Sequence, residues 1–365
     1  KQKPQVCIER ARYLTEGYKQ YQDQPLYIKR ARSVRNVLEN MSIYIKDGEL
    51  IVGNQASEER TAPVFPEYAV KWMETELKEE GNFDKREGDS FYLPEDKKDE
   101  LFEIIDFWKD KTLHDHCYAE MPEDIKKASE VKVIHGEGNM TSGDGHIVPD
   151  FKKVLEKGLN GVIKEAEAQL DKLDISENDA LRKKSFLEST IIINKGVINF
   201  ARRYAELAEE KAVSEEDEKR KQELERIAEI CRRVPAEPPR NFYEAVQAVW
   251  FVHLAIQIES NGHSASLGRL DQYLYKFYKN DIDQGNIERE EAKELLQALW
   301  VKLFSILKLR PTSHSGYGAG YPTYQNVTIG GQNSKGEDET NELSFLVLES
   351  VAEAKLTQPN LSVRV

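Results

Sequence analysis

The 365-residue chain has only three cysteines, Cys7, Cys117 and Cys231. They are far apart and form no Cys-x-x-Cys pair, which excludes a disulfide framework, a zinc ribbon and a thioredoxin-type motif. A reducing cytoplasm is the simplest setting. Long apolar runs are also missing: no stretch approaches about 18 uncharged apolar residues, so no transmembrane helix is expected. The opening Lys1-Gln-Lys-Pro4 lacks the apolar core of a signal peptide, and it lacks an initiator Met, which implies an altered start. Positive charge is in short supply. Lys and Arg number 52 against 65 Asp and Glu, a net charge of −13. Such a chain repels nucleic acid and anionic membrane. No internal repeat or low-complexity tail is visible. What remains, 39% hydrophobic and 32% charged residues, is the composition of a folded globular protein. The length allows two or three domains or one large one.

Helical spacing dominates the pattern. Apolar residues recur at three and four over residues 4–22 and 26–40. Ser42–Ile45 and Glu49–Val52 read as two short strands joined by Lys46-Asp47-Gly48, a hairpin signature. Further helices are predicted over 67–79, 98–111, 150–173, 177–211 and 215–233, with a polar loop at 80–97. Arg233-Val-Pro-Ala-Glu-Pro-Pro-Arg240 reads as an extended break. Phe242–Ile258, centred on Trp250, is apolar on nearly all sides and predicts a buried helix. After helices over 268–282 and 287–307, the spacing gives a strand at 326–330, a helix at 340–355 and a last strand at 361–365. That strand reads as interrupted by the chain end. The late alternation of helix and strand fits α/β layering.

Four places carry candidate chemistry. His114-Asp115-His116-Cys117 offers good zinc ligands, but consecutive residues converge poorly on one ion, and a solvated helix end explains them as well. Gly316-Tyr-Gly-Ala-Gly320 lacks the Walker lysine and the strand–helix context of a dinucleotide fold. Nucleotide binding is therefore rejected, and the glycines read as a sharp turn beside a pocket. Asn261-Gly-His-Ser264 follows the buried helix directly. Its adjacent polar side chains suit either polar substrate recognition or capping of the next helix. Gly143-Asp-Gly-His146 closes a long aperiodic stretch, 132–149. A histidine there either holds a substrate and exchanges a proton, or is simply structural.

An ordered series of segments adds context. It runs through Glu9–Glu16, Ile28–Ala31, Ile43–Asp47, Glu49–Asn54, Phe65-Pro-Glu-Tyr68 with Trp72, and Phe107–Thr112. It continues through Gly145-His-Ile-Val-Pro-Asp150, Glu259-Ser-Asn-Gly-His-Ser264, Gly268-Arg-Leu-Asp-Gln-Tyr273, Asn326–Gly331 and Gln358–Arg364. Together these resemble the glycyl radical enzymes, the pyruvate formate-lyase-like family, in the branch of glycerol and propanediol dehydratases.

The resemblance implies a helix-rich α/β fold, the N-terminal portion of a ten-stranded α/β barrel. Residues 1–240 would be mainly helical, and 241–365 would add helices and the first barrel strands. It implies a protein-derived glycyl radical and a thiyl cysteine, both outside this chain, since none of the three cysteines matches the catalytic loop. No bound metal or nucleotide is expected. The family's partner is a radical S-adenosylmethionine activating enzyme; a chain supplying the C-terminal half, or a second copy, is the other partner considered. By the resemblance, His146, His263 and Ser264 match residues that contact substrate hydroxyls, and Tyr321 falls near a pocket aromatic. The function implied is that of the N-terminal part of a C–O lyase acting on a small diol, polyol or hydroxylated substrate, inactive alone. The alternatives are a C–N or C–S lyase or a decarboxylase of the same family, or a non-catalytic binding half of a split or degenerate enzyme.

Overall fold

A computed structural model of the chain describes residues 3–131, 133–134, 138–143, 145–315 and 319–365. The architecture is helix-rich α/β. Strands β1 (Gln5–Cys7) and β2 (Thr61–Pro63) form a parallel pair. Strands β3 (Gly268–Arg269), β4 (Asn326–Gly330) and β5 (Asn360–Arg364) form a parallel sheet in that order. Parallel neighbours require crossover connections. The Leu270–Gln284 and Arg289–Phe304 helices lie between β3 and β4, and the Glu342–Ala354 helix lies between β4 and β5.

The predicted helices form where spacing was strongest. Leu26–Asn40 buries Ile28, Ala31, Val34, Val37 and Leu38, one stripe of its surface, against the long Ala180–Ser214 helix. The Phe242–Glu259 helix starts at Asn241, whose side chain accepts from the Glu244 N–H at 2.9 Å. It buries Trp250 completely at the centre of the core. The structure differs from the expected helices: Leu113–Glu120 and Glu123–Glu130 are additional helices, and the 67–79 helix starts at Lys71. The stretch read as starting at residue 4 begins with β1, and the helix proper is Glu9–Gln20. The Phe151–Leu170 helix is broken at Gly158, φ 64°. There the Leu159 and Asn160 N–H groups donate to the Pro235 and Ala236 carbonyls at 2.8 and 2.9 Å. A side chain at Gly158 would stand 2.3 Å from the Ala236 oxygen. The 233–240 run is correspondingly a turn, with the Glu237 N–H donating to Arg233 O at 2.8 Å, and not a plain extended break.

The 42–52 hairpin does not form. The turn at Asp47-Gly48 is present, but no ladder joins its arms. Distant side chains satisfy that backbone instead. Gln247 accepts from the Val52 N–H at 2.9 Å and donates to its carbonyl at 2.8 Å. Asn54 accepts from the Tyr44 N–H at 3.1 Å. Val52 and Ile51 are thereby buried against the central helix, where a two-stranded ribbon would have left them half exposed.

No helix among the described residues is long and apolar enough to cross a membrane.

Candidate functional site

Three loops meet after the central helix. They are 145–150, 260–267 and the stretches 305–311 and 319–325. The His146 N–H donates to the His263 carbonyl at 2.7 Å, and the Ser266 N–H to the Ile147 carbonyl at 2.9 Å. The Ser264 N–H donates to the Thr323 carbonyl at 2.9 Å, and the Leu267 N–H to the Asn326 carbonyl at 2.9 Å. Gly145 makes the first contact possible, because a Cβ there would lie 2.2 Å from the His263 oxygen.

The backbone at this junction is held in uncommon conformations. His146, Ser264, Tyr321 and Tyr324 have φ of 56°, 59°, 57° and 52°. Left-handed backbone at residues other than glycine costs about 1–3 kcal/mol each, and persists only where the surroundings enforce it. Tyr321 is enforced from the 82–94 segment. Its N–H donates to Asp89 Oδ1 at 2.8 Å, its hydroxyl donates to the Ser90 carbonyl at 2.9 Å, and its ring meets Phe91 edge-on at 5.2 Å.

The junction thus gathers the four expected residues, with different exposures. His263, Ser264 and Tyr321 are half-buried, whereas the His146 side chain is exposed. The capping alternative for Asn261-Gly-His-Ser264 fails: the residue before the Leu270–Gln284 helix is Arg269, with no side-chain cap. Asn261 instead donates to the Leu309 carbonyl at 2.9 Å.

Cationic residues complete the site. Lys308 Nζ donates to the Gln257 and Ser260 carbonyls at 2.8 and 2.7 Å. Arg310 donates to the Asn261 carbonyl through Nε and Nη2 at 3.3 and 2.8 Å, and its Nη1 contacts His263 Nε2. Both cations are buried. Burial pushes Lys308 well below its usual range, and pushes Arg310 down to about 9. His263 falls to about 3, first through burial, then through the charge of Arg310 and the nearby His314, His146 and Lys308. His314 falls to about 4 through burial and Arg310. A small polar cavity lies between His263, Arg310, His314, Tyr321, Asp89 and Arg86.

The resemblance pointed to the histidine–serine pair but not to these cations. A signal was there: Ile306-Leu-Lys-Leu-Arg-Pro311 alternates apolar and cationic residues between a helix and a proline. An extended run of that kind, if buried, must deliver its charges to a polar interior.

The other candidates lie outside this junction. His114-Asp115-His116-Cys117 belongs to the Leu113–Glu120 helix, where Thr112 and Asp115 form a capping box and His114 stacks on Tyr118 at 5.8 Å. Among the described residues no three His, Cys, Asp or Glu side chains converge as metal ligands. Residues 316–318 of the glycine run lie outside the described residues; Gly320 donates its N–H to Asp89 Oδ1 at 2.7 Å. Cys7 and Cys231 are buried, and burial raises both thiols, which makes them poor nucleophiles.

With this geometry in view, the sequence matches the description "Pyruvate formate lyase-like" over residues 1–365. The chain belongs to that family. It is 43% identical to "Probable dehydratase YbiW" of Escherichia coli, over 99% of this chain and 45% of the relative. It is 36% identical to isethionate sulfite-lyase of Nitratidesulfovibrio vulgaris, over 100% of this chain and 45% of the relative. Its fold superposes with TM-score 0.95 on the glycerol-bound B12-independent glycerol dehydratase of Clostridium butyricum, at 42% identity, over 100% of this chain and 45% of that one. The helix-rich α/β expectation is met, as the N-terminal part of a glycyl radical enzyme fold. The chain spans about half the length of the curated relatives it matches.

Proposed function

We propose that these residues form the substrate-orienting side of a glycyl radical lyase that eliminates water from a small diol, polyol or other hydroxylated substrate. The observation that supports this reading is the loop junction, where left-handed backbone at His146, Ser264 and Tyr321 surrounds a neutral His263. A neutral imidazole and a hydroxyl bind neutral hydroxyl groups by supplying both donors and acceptors. Backbone strain is spent where the surroundings must hold side chains in one geometry. Glycyl radical chemistry supplies hydrogen-atom abstraction, and no residue of this chain is assigned to that step. The part played here is binding: His263 and Ser264 hold a substrate hydroxyl, His146 reaches the same junction from the exposed side, and Tyr321 forms a wall. The activating enzyme of the radical S-adenosylmethionine type belongs to the same proposal.

A second reading is cleavage of a C–S bond, as the name of the isethionate sulfite-lyase states for that protein. It is favoured by Lys308 and Arg310, two buried cations that would suit an anionic substituent.

The test joins residues 1–365 to the remaining part of the C. butyricum glycerol dehydratase. The chimera is activated anaerobically and offered glycerol, 1,2-propanediol and isethionate, with the chain alone as control. Aldehyde from a diol, in the chimera only, is the expected result. His263→Ala and Ser264→Ala should each lower kcat/KM about tenfold to a hundredfold, the equivalent of about 1–3 kcal/mol for a lost hydrogen bond. A chimera that carries the radical signal yet releases only sulfite from isethionate overturns the dehydratase reading in favour of the second.

A further inference from the structure

The contact between Arg310 and His263 fixes more than a position. A guanidinium has five N–H donors and no acceptor. Arg310 therefore donates, and His263 Nε2 must present its lone pair. With Nε2 bare, the single proton of a neutral imidazole resides on Nδ1. Protonating Nε2 would set a cationic ring, N–H against N–H, on a buried guanidinium.

The surroundings hold Arg310 in that role. Its Nε and Nη2 are tied to the Asn261 carbonyl, two residues before His263. The cationic neighbours oppose a second positive charge. Lys308 lies on the same extended run, and His314 follows it with its ring 6.2 Å from that of His263. His146 approaches from the 145–150 loop, and the Tyr324 ring lies 5.6 Å away. Arg86 and Asp89 line the same cavity. Asp89 is the carboxylate there, and its Oδ1 is engaged by the Gly320 and Tyr321 N–H groups.

We infer that Arg310 is a positioning residue that locks His263 in the neutral Nδ1–H tautomer, so that His263 serves the site as a fixed hydrogen-bond donor and not as a proton carrier. The low affinity of this imidazole for protons agrees with the geometry. The role as donor to a substrate rests on the function proposed above; the tautomer itself does not.

Nitrogen-15 resonance spectroscopy of the histidine-labelled 365-residue chain, without substrate, tests the lock directly. Loss of one signal set in His263→Gln identifies the residue. The expected spectrum has a protonated Nδ1 and a bare Nε2, unchanged from about pH 5 to 8, the range in which an ordinary histidine titrates. Arg310→Met removes donor and charge, and the proton should shift toward Nε2. A wild-type Nε2–H signal, or a titration within that range, overturns the inference even if the variant fails to fold. An unshifted Nδ1–H tautomer in a folded Arg310→Met overturns the role of Arg310. Diol turnover by the chimera fails or succeeds independently of either result.

Discussion

Two pairs of cations, all buried but the half-buried Arg30, grip successive carbonyls of the segment that leads to His263, yet they are compensated in opposite ways. Arg10 donates to the Ile258 carbonyl at 2.6 Å and Arg30 to the Glu259 carbonyl at 2.7 Å. Both also bind the Glu67 carboxylate, at 2.6 and 2.8 Å, and Arg30 binds the Glu259 carboxylate at 2.7 Å. Lys308 and Arg310 hold the Gln257, Ser260 and Asn261 carbonyls, but among the described residues no carboxylate pairs with either. The first pair is a closed ionic network, which specifies where the helix ends. The second leaves positive potential in a polar cavity and keeps two histidines neutral. Buried charge that is neutralised builds scaffold; buried charge left open conditions a site.

Removing the neutralising group should therefore be the most damaging change. Glu67→Ala strands the buried Arg10 guanidinium and leaves Arg30 only the Glu259 carboxylate, and should cost about 3–5 kcal/mol by chemical denaturation. If the variant does not fold, Glu67→Gln keeps the shape and part of the hydrogen bonding. Stability unchanged in both variants would mean that the network is ornamental.

The pairs should also respond to acid in different windows. Burial would raise the Glu67 carboxyl, but Arg10 and Arg30 outweigh it and hold it at about 2, against an ordinary 4.5. Its unfolded form takes up a proton first as pH falls, so its contribution is lost from about pH 4.5 down to 2. His263 binds a proton at about 3 when folded, against an ordinary 6.5. Here too the unfolded state gains the proton first, so stability falls with pH, beginning near 6.5 and ending near 3. Denaturation midpoints measured across this range should lose part of their upper slope in His263→Gln and the lower part in Glu67→Gln. His253 and His314, each lowered to about 4 chiefly by burial, add to the upper window in both variants.

How much of this was legible beforehand differs by element. The Leu26–Asn40 and Phe242–Glu259 helices could be read because their burial is written in local spacing. The 42–52 segment could not, since Gln247, nearly two hundred residues away, supplies the partners a hairpin would have used. Strand β1 is three residues long and pairs with residues 61–63, so no local pattern marks it. At the site, the His146, His263 and Ser264 segments were recognisable as members of an ordered series. Arg310 is marked in the sequence only as one charge of an alternating run; its role comes from a tertiary contact with His263.

Gly145→Ala tests the junction between the loops. Its Cβ would press on the His263 carbonyl and amide from 2.2 and 2.7 Å, both backbone atoms that cannot turn aside. A cost of about 1–3 kcal/mol is expected, typical of overpacking. The nitrogen-15 signals of His263 should shift as its peptide is displaced. The Glu67 window should stay intact, because the ionic network holds the preceding residues.

The mildest change concerns the far wall. Tyr321→Phe removes one hydrogen bond, from the phenol to the Ser90 carbonyl, and keeps the edge contact with Phe91. The expected loss is about 0.5–1.5 kcal/mol, the net value of an ordinary hydrogen bond. Tyr321 is also held by its N–H on Asp89, which the substitution leaves untouched, so the left-handed backbone should survive. In the activated chimera KM for a diol should then change little, since the phenol is already engaged with Ser90. A large rise in KM with stability preserved would show that the hydroxyl leaves Ser90 to bind substrate, making Tyr321 a direct ligand and not a wall.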